Sequence, residues 1–138
     1  MKAAVKIVLP MLLLSVLAGC TPADEMLIGQ WKQVYGLERV ANETTGEVTI
    51  DTLPGFDTHM MIFMADATCL SVDRSDTVLY QWALSVNTLA LWRDGWAEDY
   101  TVNKLTKEYL VYNDTYSYFD SITGCRYKYK YRFEYKKL

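Results

Sequence analysis

The sequence predicts an all-β protein, an eight-stranded antiparallel up-and-down barrel, on three observations. Apolar runs of strand length alternate with turn signals at short, regular spacing, without a sustained i, i+3, i+4, i+7 apolar stripe. Aromatic residues make up 14% of the chain, and their flat rings suit a pleated, half-buried surface. Consecutive antiparallel strands with short connections leave two exposed edges unless the sheet closes, so we expect a barrel.

Composition limits the number of domains and the class of partner. The chain has 138 residues, which is the length of one domain. Apolar residues make up 51% of the chain and charged residues 22%, which excludes a disordered protein. The net charge of −3 gives no support to nucleic-acid binding, because neutralising phosphates requires clustered cations.

The N-terminal segment predicts export. Residues 1–19 carry Lys2 and Lys6 and no acid, and an apolar run over 7–17 is too short for a membrane span. This pattern is typical of a secretory signal peptide. Residues 17–20, Leu-Ala-Gly-Cys, resemble the lipobox of bacterial lipoproteins. That resemblance implies cleavage before Cys20 and attachment of palmitate-like acyl chains there. The alternative is an ordinary signal peptide with a cysteine in its cleavage zone.

The lipobox also implies an address and a division of the chain. We expect a signal peptide over 1–19, a lipidated cysteine and short tether over 20–26, and the barrel over 27–138. Two or more acyl chains give a stable membrane anchor. Thr21, where an Asp would retain the protein at the inner membrane, resembles the pattern of lipoproteins sent to the outer membrane. The predicted location is therefore the cell envelope, lipid-anchored at the outer membrane, on its periplasmic or its surface side.

Eight runs of alternating or continuous apolar residues follow the tether. Most connections between them have hairpin length, and the exception is a long polar loop over 41–57. At eight strands a barrel interior is either filled by side chains or large enough for one small ligand. The predicted strands cover residues 27–40, 58–65, 68–72, 77–84, 88–93, 96–104, 109–119 and 125–137.

The last run alternates most strictly. Aromatic residues occupy every second position from Tyr127 to Tyr135, and all intervening positions are charged. A period of two predicts a strand with one buried and one solvated face, so we assign the basic stripe to the solvated face. A nucleic-acid contact is the weaker interpretation, because one stripe on an acidic protein is a small electrostatic footprint.

The first strand resembles the opening of the lipocalins, in particular small lipocalin-like lipoproteins abundant in Bacteroidetes. Residues 28–32, Ile-Gly-Gln-Trp-Lys, match their Gly-x-Trp motif. Residues 63–67, Phe-Met-Ala-Asp-Ala, stand where that group has Phe-x-x-Asp-Gly, with Ala67 replacing the glycine. The strands at 79–82, 89–91, 100–111 and 131–133 continue the likeness through the chain. The resemblance implies a lipocalin-like barrel.

The same resemblance implies roles at the closed end of the barrel. Gly29 and Trp31 belong to the opening motif, and the tryptophan of lipocalins plugs that end. A basic residue of the last strand packs over the ring, and Arg132 or Arg126 is the candidate here. The simpler alternative is that Trp31 is only a large core residue.

Catalytic and metal-binding chemistry has little support. The chain contains one histidine, His59, which we interpret as the polar start of a core strand. Phosphate-binding glycine loops, Cys-x-x-Cys pairs and Ser/His/Asp groupings are absent from the sequence. We therefore expect no cofactor, no metal and no enzymatic activity.

Cys69 and Cys125 are the two cysteines after Cys20. In a meander, successive strands reverse, so the starts of the third and eighth runs lie at opposite ends of the barrel. Bridged Cα atoms must approach within about 7 Å, so we do not expect a disulfide. A bridge would show that the strand order is wrong.

Two functional hypotheses remain. The first is a membrane-tethered binding module whose open end accepts a small apolar or amphiphilic ligand. The second is a structural or protein-interaction lipoprotein with a filled barrel and no small ligand. Candidate interior residues are Tyr80, Trp82, Tyr129 and Tyr131, whose size favours a narrow or filled interior.

The loops expected at the open end are acidic. An acidic mouth repels anions and favours neutral or cationic amphiphiles. The alternative is that these carboxylates are solvated turn residues. The candidate mouth residues are Glu43, Glu47, Asp51, Asp57, Asp73, Asp76, Asp94 and Asp120.

Overall fold

The computed structural model describes residues 22–54 and 58–138. The predicted signal peptide, Cys20 and Asp57 lie outside the described residues. One short helix precedes the strands, and its residues 22–26 belong to the segment assigned to the tether. The elements are α1 (Pro22–Leu27), β1 (Gly29–Asn42), β2 (Val48–Thr52), β3 (Met60–Phe63), β4 (Thr68–Val72), β5 (Thr77–Ser85), β6 (Thr88–Arg93), β7 (Trp96–Leu105), β8 (Tyr109–Asp120) and β9 (Cys125–Lys137).

The strands form a closed eight-stranded antiparallel barrel, which confirms the predicted fold class. From β3 to β9 each strand pairs with the next along the chain, and β1 closes the barrel by pairing with both β3 and β9. The β1–β9 pairing runs from Trp31↔Lys137 to Asn42↔Tyr127. Among the described residues, no helix is long and apolar enough to cross a membrane.

The predicted polar loop over 41–57 was wrong in one respect, because it contains β2. This strand pairs with the second half of β1, from Leu37↔Thr52 to Ala41↔Val48. All five of its residues are exposed. An edge strand of this kind contains no buried residue, so its sequence resembles that of a polar loop although backbone hydrogen bonds order it.

A β-bulge at Val34 divides β1 into two parts. The pairing with β9 shifts by one residue between Gln33 and Tyr35. Before the bulge, β1 pairs with β3, from Gly29↔Phe63 to Lys32↔Met60, and after the bulge it pairs with β2. Bulges bend a strand and increase its twist. Beyond the bulge, β1 stays paired with β9 but no longer pairs with the barrel strand β3.

The strands that follow this bend form an open extension, which we call the arm. It consists of β2, residues 37–42 of β1, residues 127–132 of β9 and residues 113–120 of β8, in that order across the sheet. The pairing of β7 with β8 ends at Thr101↔Asn113, and beyond it β8 pairs only with β9. The sheet is thus closed at one end and open at the other.

Side chains fill the closed half of the barrel. Trp31, Phe63, Leu89 and Leu110 are at most 1% exposed, and Trp82 packs edge-on against Phe63 with ring centroids 5.7 Å apart. Burying an aromatic or aliphatic side chain contributes about 1.5–3 kcal/mol, so this cluster is the main stabilising feature of the fold.

Helix α1 covers the closed end. Leu27 is fully buried, and its carbonyl oxygen accepts a hydrogen bond of 2.8 Å from the indole Nε1 of Trp31. Lys137 lies over the Trp31 ring, with its Nζ 5.2 Å from the centroid, and donates a hydrogen bond of 2.9 Å to the carbonyl of Met26. A Cβ on Gly29 would lie 2.6 Å from Lys137 Cε, so glycine permits this approach.

The assignment of Arg132 to the closed end was wrong. Arg132 pairs with Leu37 in the arm, is 46% exposed at its side chain, and forms an ion pair of 3.2 Å with Glu134. Arg126 lies still farther along the arm, opposite Phe119. Strand β9 begins at the tip of the arm and reaches the closed end only at Lys137, so its last lysine supplies the cation.

Candidate functional site

The inner face of the arm carries a continuous series of aromatic rings, which we call the aromatic ladder. It begins in the core at Tyr112 and Phe133, whose ring centroids are 5.3 Å apart. Phe133 is stacked 6.1 Å from Tyr131, and Tyr131 lies 5.9 Å from Tyr116. Cross-strand neighbours in a sheet lie within reach of aromatic side chains, so β8 and β9 build the ladder together.

The ladder becomes exposed toward the tip of the arm. Tyr116 and Tyr129 stack at 4.7 Å with an interplanar angle of 7°, and Tyr127 follows at 6.4 Å from Tyr129. Tyr116 is 46% exposed and Tyr118, opposite Tyr127, is 53% exposed. Large exposed apolar patches mark interaction sites in soluble domains. The outer rungs therefore form an accessible platform that continues the core.

Carboxylates flank the ladder at Tyr131. Glu38 on β1 lies opposite Tyr131 on one side, and Asp114 on β8 lies opposite it on the other. Burial, together with hydrogen bonds to Tyr116 and Glu38, raises the pKa of the Tyr131 phenol. Tyr131 therefore stays protonated.

A third carboxylate approaches from the barrel wall. Glu98 on β7 lies opposite the buried Leu91, so it shares the inward face. Burial, a hydrogen bond to Asp114 and the nearby charges of Asp114 and Asp99 raise the pKa of Glu98. A bound cation reduces the repulsion between carboxylates that lie this close together, because an opposite charge favours their ionised form.

The predicted interior residues divide between core and arm. Trp82 is buried in the core, and Tyr80 packs against the core with its ring 5.2 Å from Trp96. Tyr129 and Tyr131 lie in the ladder, beyond the closed half of the barrel. The aromatic face of β9 is therefore fully buried only at Tyr135, and its rings from Phe133 to Tyr127 are half-buried.

The predicted mouth residues that the structure describes lie at the end of the strands opposite α1, but not as one rim. Glu43 and Glu47 lie in the exposed turn between β1 and β2, Asp120 ends β8 near the same tip, and Asp51 lies within β2. The others lie in barrel loops, Asp73 and Asp76 between β4 and β5 and Asp94 between β6 and β7.

Two of these carboxylates form turns. Asp73 accepts a hydrogen bond from the backbone N–H of Arg74, and Asp120 accepts one from Ile122; these bonds lower the pKa of both carboxyls. Such local bonds are the usual reason for Asp in turns. For these two residues the turn interpretation has direct support.

His59 belongs to a polar network inside the barrel. Its Nδ1 lies 2.9 Å from Tyr135 Oη and 3.2 Å from Gln33 Oε1, and its Nε2 lies 2.8 Å from Ser71 Oγ. Tyr112 extends the network by donating a 3.1 Å hydrogen bond to Tyr135. Desolvation lowers the pKa of His59, although Asp73 opposes the shift. Both ring nitrogens are occupied by neutral partners, which fits a structural group.

Sequence reasoning missed the three inner carboxylates for different reasons. Asp114 and Glu98 alternate in phase with Tyr112 and Tyr100, so strict period-two counting along β8 and β7 could have found them. Glu38 could not be found in this way. Counted from Trp31 without the bulge at Val34, it falls on the outer face.

No family model, curated protein or solved structure matches this chain. Within residues 22–54 and 58–138, no group of three or more His, Cys, Asp or Glu side chains could hold a metal ion.

Proposed function

We propose that this protein is a lipocalin-like binding module, anchored in the cell envelope by lipid on Cys20, whose ligand lies on the inner face of the arm. The observation that carries the proposal is the aromatic ladder, which runs out of the filled core and ends in exposed tyrosine rings. The closed half of the barrel is packed with side chains, so the binding surface is the arm.

The chemistry of the ladder selects the ligand class. Stacked tyrosine faces attract apolar groups and cations, because the ring quadrupole is negative over the face. Glu38 and Asp114 lie beside Tyr131, and Glu98 hydrogen-bonds Asp114, so carboxyl groups cluster at this rung. A neutral or cationic amphiphile fits this surface, with its cationic head near the carboxylates and its apolar part on the rings. An anionic amphiphile is disfavoured there.

A titration with three amphiphiles tests this proposal. The three compounds have the same alkyl chain and differ in their head group, which is a quaternary ammonium, a neutral sugar or a carboxylate. Each is used below its critical micelle concentration. We expect the ammonium compound to bind most tightly and its affinity to fall with salt. Tightest binding of the carboxylate compound, or no binding of any compound, would contradict the proposal.

Variants assign the binding to the ladder. Tyr129→Ala should weaken binding of the ammonium amphiphile roughly 3- to 30-fold, the range of a single cation–π contact. The control is Tyr109→Ala, since Tyr109 is a surface tyrosine, 39% exposed, that lies outside the ladder. The pair Glu38→Gln and Asp114→Asn should remove the preference for ammonium over the neutral head group.

The anchor is tested separately. Cys20→Ala should abolish incorporation of labelled palmitate, because its thiol is the attachment point. Equal labelling of the variant would contradict the lipoprotein assignment.

A second candidate function is docking of a protein partner. Beyond Asn113, β8 has no strand partner in the described chain on the side away from β9, and such an edge can accept an additional strand. In that case the three amphiphiles would not bind.

A further inference from the structure

The outer face of the arm is basic, in contrast to the carboxylates of its inner face. On β9, Lys128, Lys130 and Arg132 point away from the aromatic ladder, and Arg39 on β1 lies directly opposite Lys130. Arg126 continues the stripe toward the tip, opposite Phe119. We call this set the basic face. The β9 stripe can be read in the sequence, but the addition of Arg39 from another strand appears only in the folded chain.

Little within the chain neutralises these charges. In the part of the chain that the structure describes, Arg132 is the one member of the basic face with an ion pair. Its partner Glu134 lies two residues farther along β9, toward the closed end. The positions of β8 beside the stripe are uncharged, namely Asn113, Thr115 and Ser117. Five cations on one sheet face stand out in a protein with a net charge of −3.

Exposed apolar side chains border the cations on the same face. Ile50 lies opposite Arg39 and Val48 opposite Ala41, with 58% and 46% of their surfaces exposed. Phe119, beside Arg126 at the other border, is 57% exposed. Each of these side chains leaves about half of its surface open to solvent. A sheet face with cations in its centre and apolar groups at its borders is amphipathic.

We infer that the basic face docks on a membrane surface rich in anionic lipid head groups. Clustered Lys and Arg are attracted to anionic lipids, and exposed aliphatic or aromatic side chains gain by entering the head-group boundary. A nucleic-acid backbone would also attract the cations. It offers no comparable environment for Val48, Ile50 and Phe119, so the combination favours a membrane.

This inference does not depend on the proposed ligand. The basic face and the aromatic ladder lie on opposite sides of the same strands, so docking leaves the ladder open to solvent. It also does not depend on the anchor, because a lipid on Cys20 would insert into any bilayer. Preference for anionic over neutral bilayers is the property that the basic face predicts.

Vesicle binding of the full chain tests the inference. Partitioning is measured on phosphatidylcholine vesicles with and without phosphatidylglycerol. The readout is the ratio of the two partition coefficients, which a lipid anchor does not change because it inserts into both kinds of vesicle. Lys128→Gln combined with Lys130→Gln should lower this ratio roughly fivefold per charge removed. The control combines Arg74→Gln with Lys107→Gln, which removes the same charge from exposed loops. Far-UV circular dichroism checks that all variants fold.

The possible results distinguish membrane docking by the basic face from its alternatives. A preference for anionic vesicles that the β9 pair loses and the loop pair keeps supports the inference. Equal loss in both pairs would show that only net charge acts, and equal partitioning of the unmodified chain would show no docking. Tighter binding to duplex DNA than to anionic vesicles would overturn the inference in favour of a nucleic-acid surface. Ile50→Ser should weaken vesicle binding without affecting any binding to DNA.

Discussion

At the scale of single residues, Trp31 is held from several directions at the closed end. The carbonyl of Leu27 accepts its indole N–H, Lys137 lies over its ring, and the ring itself is fully buried. A buried indole requires a partner for its N–H, and α1 supplies it. The short helix is therefore part of the packing of the barrel.

Replacement of Trp31 by Ala should lower the free energy of unfolding by roughly 3–5 kcal/mol, the usual cost of deleting a buried aromatic side chain. Chemical denaturation followed by circular dichroism measures the change. Trp92→Ala is the matched control, because Trp92 is 36% exposed on the outer face. A loss below about 1 kcal/mol for Trp31→Ala, typical of surface positions, would show that the first strand is misplaced.

Lys137 and Arg132 should differ in their effect on stability. Lys137→Met removes a cation over the Trp31 ring and a hydrogen bond to Met26, together worth roughly 1–3 kcal/mol. Arg132→Met removes an exposed ion pair, worth about 0–1 kcal/mol. The same denaturation experiment compares them. A loss for Arg132→Met that equals or exceeds the loss for Lys137→Met would contradict the assignment of Lys137 as the cation that packs on Trp31.

His59 should make stability depend on pH. Desolvation holds its folded-state pKa below the ordinary value of about 6.5, so the unfolded chain binds the proton more readily. The free energy of unfolding should therefore fall as pH drops below 6.5 and level off below the folded-state pKa. In urea titrations at several pH values, His59→Gln should lack this dependence. Since the chain has one histidine, an unchanged slope in the variant would exclude His59 as its source.

At the scale of elements, the arm differs from the closed half of the barrel in how far its side chains are buried. Both parts are antiparallel sheet, but all of β2 is exposed, and so are Tyr116 and Tyr118 of the arm. The strands of the closed half surround Trp31, Phe63 and Leu89. Backbone pairing is alike in the two parts, so the difference in stability should come from burial.

Amide hydrogen exchange should therefore separate the two parts. Amides of β2 and of the tip of β8 should exchange through local opening, and those around Trp31 and Leu110 only through global unfolding. Mass spectrometry of peptides after native-state exchange measures the protection. Equal protection of β2 and of residues 29–33 would contradict this, because it would show that the arm is as firmly packed as the closed half.

At the scale of the whole molecule, the two cysteines after Cys20 report the strand order. Both are free thiols, Cys69 buried at the closed half and Cys125 at the start of β9, by the tip of the arm. Successive strand reversals separate them, as expected from the meander. Burial also raises the pKa of Cys69 to about 12, which leaves its thiol protonated and unreactive.

A thiol reagent should thus label Cys125 in the native protein and Cys69 only after denaturation. Peptide mapping identifies the labelled sites and separates them from Cys20. Under oxidising conditions without denaturant, no bridge between Cys69 and Cys125 should form. A native disulfide between them would require bringing opposite ends of the sheet together and would overturn the barrel topology.

Strand identity in this protein is largely a local property. The period-two alternation of β9, the hairpin-length turns and the absence of helical periodicity together predict eight strands, and closure follows because open edges are costly. Trp31 as a buried residue of the first strand follows from the same pattern. The strand β2 was hidden because an exposed edge strand has no buried face to reveal it.

By itself, the sequence determined that one face of β9 is aromatic and the other basic. Only the tertiary structure decided how far that aromatic face is buried, which cation covers Trp31, and which carboxylates stand beside the ladder. Alternation identifies a face of a strand but not how much of it is covered: β7 stops pairing with β8 at Thr101, and beyond it Tyr116 and Tyr118 are exposed. The bulge at Val34 reverses the phase of β1 and places Glu38 beside Tyr131, because one extra residue exchanges the two faces of a strand.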